Sequence, residues 1–155
     1  MYFLHPVIVH FAIALLSVAV ICDFLYLISK KENFWQISTY LIVAGTLSAI
    51  GAVLTGTQAF KLIEVNPNIE DLVNSHRNGG QLVMWMFIIL TGLRFLFIKL
   101  QLFQKPLKWL YYIFSLIALV FLFRTGLLGG EMVYIHGVGI HKTEPAPREK
   151  PTFEE

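Results

Sequence analysis

Imidazole and thiol side chains are scarce in this chain of 155 residues: His5, His10, His76, His136 and His141 stand against one cysteine, Cys22. A single thiol builds neither an intramolecular disulfide nor a thiolate cluster, and without a C-x-x-C-H run haem cannot be attached covalently. Imidazole nitrogen suits iron, zinc and copper. Spacing limits how these rings can cooperate. His5 and His10 are five positions apart, which on a regular helix leaves their side chains roughly 140° apart around the axis. His136 and His141 have the same offset, and the two glycines between them favour departure from the helix. The i, i+4 pair of a zinc protease is absent, so ligands for one ion must come from different helices.

Those helices are membrane spans. The chain is 56% hydrophobic and 14% charged, with a mean hydropathy of +0.66, far from the globular mixture of about half apolar and a quarter charged. A formal net charge of +2, with no basic cluster, gives no footprint for nucleic acid. Apolar stretches at 6–29, 35–60, 80–103 and 107–135 are each long enough to cross a hydrocarbon core of about 30 Å. No Lys or Arg precedes Lys30 and the first apolar run is long, unlike a cleaved secretory signal. "KKEN" and "QKP" make tight links, with Pro106 suited to a first helical turn. The middle link, "LIEVNPNIEDLVNSHRNGG", is longer, predicts a short interfacial helix from about Pro67, and leaves His76 in a loop. The expected architecture is all-α, an integral membrane four-helix up-and-down bundle over 1–141 with an extended, polar, proline-rich tail at 142–155 and no internal repeat.

Basic residues set the orientation. Lys30, Lys31, Lys99, Lys105 and Lys108 flank one face, whereas Lys61, Arg77 and Lys142 on the other are mixed with Glu64, Glu70 and Asp71. Both termini are therefore expected outside, and all five histidines fall at that outer face. In a square bundle the first and third helices are diagonal, which suits two imidazoles on either side of a planar macrocycle. His10 with His76 is the preferred pair, since His10, Ala14 and Ser17 form one stripe expected to face inward; His136 is the main competitor.

On the second helix, Gly45, Ala49, Ala52 and Gly56, beside Ala44, Ser48, Gly51 and Thr55, admit either close helix packing or a flat ligand. Arg124 and Arg77 can pair with haem propionates; an Arg124 to Glu131 ion pair is the alternative. Asp23 and Arg94, nearer the inner face, are expected to neutralise each other.

"LHPVIVHFAIALL", "TGTQAF", "NSHRNGG" and "GGEMVYIHGVGIH" resemble, in order, the signatures of a bacterial four-helix membrane family, domain of unknown function 2231. Ala12 stands where that family usually has proline, and Glu131 where it usually has a small or apolar residue. The resemblance implies association with c-type cytochromes and other redox proteins. Together these readings predict a b-type cytochrome-like subunit, an electron-transfer component more than a stand-alone enzyme. It would hold one or two haem b groups through histidines of different helices and exchange electrons with quinol or a c-type cytochrome, within a larger redox complex. The alternatives are an outer-facing zinc or copper site made of three imidazoles with Glu131 or Glu70, and a structural or assembly subunit. Ser75 beside His76 makes no nucleophile and base pair, no G-x-S-x-G or Walker loop occurs, and nothing suggests the inverted repeats of a transporter.

Overall fold

Hydrophobic length and turn chemistry together set the ends of the helices. The computed structural model describes residues 4–61, 67–104 and 106–139. Four helices dominate them: α1 (Leu4–Ser29), α2 (Glu32–Phe60), α3 (Glu70–Lys99) and α4 (Lys108–Tyr134). All four are long and apolar enough to cross a membrane. α1 stops because Lys30 takes φ 57°, with its N–H donating to the Tyr26 carbonyl, and α2 begins after Lys31. Gln101 ends the α3 region the same way, with φ 54°. For a residue other than glycine this conformation costs on the order of 1 kcal/mol, offset here by a tight antiparallel return.

The third helix corrects the sequence reading. It starts at Glu70, directly after a 3-10 turn at Pro67–Ile69, so "NSHRNGG" is helical and His76 is not in a loop. Proline presets the first turn, and Glu70 and Asp71 complement the helix dipole. Gly79 and Gly80 each disfavour helix by about 1 kcal/mol. Gly79 is nevertheless retained for contact: a Cβ there would lie 2.7 Å from Thr125 Oγ1 on α4.

α1 packs against α2 and α4, and α3 against the same two helices, so α1 and α3 lie on one diagonal and α2 and α4 on the other. Each helix buries one stripe. Ala12, Leu16, Ala19 and Asp23 on α1 correspond to Val83, Phe87, Leu90 and Arg94 on α3, each pair 71 positions apart. Ser38, Ile42, Gly45 and Ala49 on α2 correspond to Tyr111, Ser115, Ala118 and Leu122 on α4, each pair 73 positions apart. The bundle is thus two hairpins in equivalent register. No sequence repeat accompanies this register, because equivalent positions share burial but seldom side chains.

The α1–α2 seam is the tight one. A Cβ at Gly45 would fall 2.6 Å from Leu16 Cδ2, so at this level the small-residue stripe of α2 serves helix packing. At the inner end, the expected Asp23–Arg94 pair is present with both side chains fully buried. Arg94 Nη1 donates to both carboxylate oxygens at 2.7 and 3.0 Å and to Tyr111 Oη. Its Nη2 donates to the Trp35 carbonyl, its Nε to Thr39 Oγ1, and its guanidinium lies 3.9 Å from the Trp35 ring centroid. Tyr111 Oη donates in turn to Asp23 Oδ2. One guanidinium therefore ties all four helices together.

Candidate functional site

Extending the buried stripe of α1 from Ala12 towards the N-terminus by seven residues, close to two full turns, arrives at His5. His5 is accordingly the imidazole that faces the bundle. It is half-buried, and its Nδ1 lies 2.9 Å from the carbonyl oxygen of Ala52 on α2. Its ring rests where Gly56 has no side chain: a Cβ there would be 2.8 Å from His5 Cε1. The same construction recurs in the second hairpin. His76 Nδ1, from α3, lies 3.1 Å from the carbonyl oxygen of Thr125 on α4, and a Cβ at Gly129 would be 2.8 Å from His76 Cε1. His5 and His76 are 71 positions apart, and Ala52 and Thr125, like Gly56 and Gly129, are 73 apart, matching the register of the core.

The two rings meet across the diagonal, with centroids 6.2 Å apart and planes at 83°. Since a carbonyl oxygen only accepts, both imidazoles donate from Nδ1, which in the neutral ring leaves a lone pair on each Nε2. Among the described residues neither Nε2 has a hydrogen-bond partner. This is the second-shell arrangement usual for histidines that bind metal, where the far nitrogen donates to a carbonyl and so fixes tautomer and ring orientation. The arrangement offers two neutral nitrogen donors from opposite helices.

The remaining candidates lie elsewhere. His10 is exposed, and its Nδ1 reaches back 2.6 Å to the Pro6 carbonyl on its own helix. The pairing expected for His10 and His76 is therefore replaced by His5 and His76, and Ala14, assigned to the same inward stripe, is exposed. α1 is apolar on every side, so its composition gives no direction to the periodicity. His136 is exposed in the turn after α4, at the same end of the bundle, and His141 lies outside the described residues. Arg77 is exposed, its guanidinium 5.4 Å from the Phe60 ring centroid. Arg124 and Glu131 are both exposed and form no ion pair with each other among the described residues, which corrects that alternative. Glu70 is exposed in the first turn of α3. No group of three His, Cys, Asp or Glu side chains able to hold a metal occurs among the described residues, so the three-imidazole zinc or copper centre is not assembled there. Surface grooves of about 280 Å³, between α1 and α4 around Phe24 and Leu119, and of about 220 Å³, around Trp35 and Tyr40, lie in the other half of the bundle.

A family model described as predicted membrane protein (DUF2231) matches residues 3–142. The chain belongs to the DUF2231 family. Neither a curated protein nor a solved structure matches it. The DUF2231 match includes all five histidines and both hairpins, and ends at the start of the tail. Sequence reasoning missed the partners that hold the rings in this DUF2231 member, namely the carbonyls of Ala52 and Thr125 and the glycines at 56 and 129. An internal alignment at an offset of 71 would have paired His5 with His76.

Proposed function

We propose that this membrane protein is a b-type cytochrome-like subunit that binds one haem through His5 and His76 and relays single electrons. The observation that carries the reading is the pair itself: two imidazoles from diagonal helices, each tethered through Nδ1 and leaving Nε2 free, with centroids 6.2 Å apart. Two metal–nitrogen bonds of about 2 Å each, added to the ring radii, span roughly that distance. Haem iron also needs only two protein ligands, which suits a chain whose described residues gather no third. One site per chain follows from the register, because the equivalent pair at the inner end, Asp23 and Arg94, is committed to its ion pair. Bound there, haem would supply one-electron exchange, while the Ala52 and Thr125 carbonyls would orient the His5 and His76 rings that hold it.

Arg77 and Arg124, both exposed on α3 and α4 at this end of the bundle, are the cations available to the propionates. The concentration of lysines at the other end supports an orientation with the pair, and both termini, on the outer face of a bacterial inner membrane. Quinol or a c-type cytochrome is the proposed electron partner, with the chain as a subunit of a redox complex. The test is an optical spectrum of detergent-purified protein from haem-replete cells. A Soret band with sharp reduced α bands is expected, lost in His76→Ala, and a folded, colourless preparation would exclude haem.

A second reading rests on compactness, since both grooves lie away from the histidines. In it the two Nε2 atoms hold a bare zinc or copper ion. Elemental analysis separates it from haem.

A further inference from the structure

In an α-helix the carbonyl of residue i accepts from the N–H of residue i+4. The backbone partner of the Ala52 carbonyl is therefore the N–H of Gly56, with Thr55 Oγ1 also donating to it at 3.1 Å, and the backbone partner of the Thr125 carbonyl is the N–H of Gly129. Every Cα–Cβ bond tilts towards the helix N-terminus, so the side chain at i+4 covers the turn containing carbonyl i and blocks approach from the side. Glycine at i+4 uncovers it. At both places an imidazole occupies the opening: added Cβ atoms would meet His5 at 2.8 Å from Cε1 and 3.0 Å from Nδ1, and His76 at 2.8 Å and 3.2 Å from the same atoms.

The geometry points to Gly56 and Gly129 as positioning residues that expose the Ala52 and Thr125 carbonyls to His5 and His76, and so hold the proton on Nδ1 and the lone pair on Nε2. This deepens the ligand reading above, since a ligating Nε2 needs its proton elsewhere, yet the position of the proton can be measured whether or not a cofactor binds. The role is specific to position. Gly80 on α3 and Gly130 on α4, at the same end of the bundle, have nothing within 4 Å of an added Cβ. Gly56 and Gly129 are also equivalent in the two hairpins, so the same device occurs twice in one chain.

The test is nitrogen NMR of the full chain labelled with ¹⁵N-histidine in lipid nanodiscs, reduced or haem-free, with signals assigned through His5→Gln and His76→Gln. His5 and His76 are expected as Nδ1–H tautomers. Gly56→Ala should abolish that signature for His5 alone, Gly129→Ala for His76 alone, and Gly80→Ala and Gly130→Ala for neither. If Gly56→Ala fails to fold, the double variant His5→Ala/Gly56→Ala should recover the yield and thermal midpoint of His5→Ala, because the clash has gone. Unchanged tautomers in Gly56→Ala and Gly129→Ala, equal changes in the controls, or a Gly56→Ala defect that persists without the ring would each overturn the assignment. A colourless wild type whose tautomers respond as described removes haem and leaves the positioning role standing.

Discussion

Asp23 and Arg94 meet at 2.7 Å, fully buried, at the end of the bundle opposite His5 and His76, and the two pairs occupy equivalent positions of the two hairpins. One register thus places a histidine pair near one end of the bundle and an ion pair near the other.

Removing one member of the ion pair leaves the other charged and buried. Asp23→Ala and Arg94→Met should each destabilise the bundle by about 3–5 kcal/mol, read as unfolding in mixed detergent. Because the two charges share one network, the Asp23→Ala/Arg94→Met double variant should lose less than the sum of the single losses.

The two histidines of α1 should behave oppositely. His10 is exposed and bonded only within its own helix, so His10→Ala should change stability by less than about 0.5 kcal/mol and leave the Soret band intact. His5→Ala should bleach it. A preparation that loses colour with His10 and keeps it without His5 would return the ligand role to His10.

At Gly45 the space is already taken by Leu16. Gly45→Ala should cost about 1–3 kcal/mol through overpacking, and Leu16→Ala in the same chain should relieve part of it. Gly92→Ala, with open space around the added methyl, should instead be neutral or favourable by up to about 1 kcal/mol. Thermal midpoints in detergent give the comparison.

The orientation is open to thiol labelling. Cys22 is buried, so the wild-type chain should react slowly with a membrane-impermeant maleimide. In intact bacterial cells His136→Cys should label and Lys31→Cys should label only after permeabilisation. The reverse pattern would invert the topology.

Membrane class, four helices, the short link after α1 and the neutralisation of Asp23 by Arg94 were determined by the sequence alone. Each follows from composition, from the length of an apolar run, or from the cost of an unpaired charge in hydrocarbon, and none depends on which helix faces which. The start of α3 was misread because "NSHRNGG" is polar and rich in glycine, whereas the close approach of Gly79 to Thr125 is a contact between helices. Only the tertiary structure chose His5 over His10. On a helix apolar all round, the buried face is selected by the neighbouring helices, not by periodicity. The two-hairpin register was equally hidden, because Leu16 and Phe87, or Asp23 and Arg94, are equivalent in burial and unlike in chemistry. Two carbonyls and two absent side chains complete the histidine site, and backbone groups and missing atoms leave no pattern in a sequence until packing brings a ring against them.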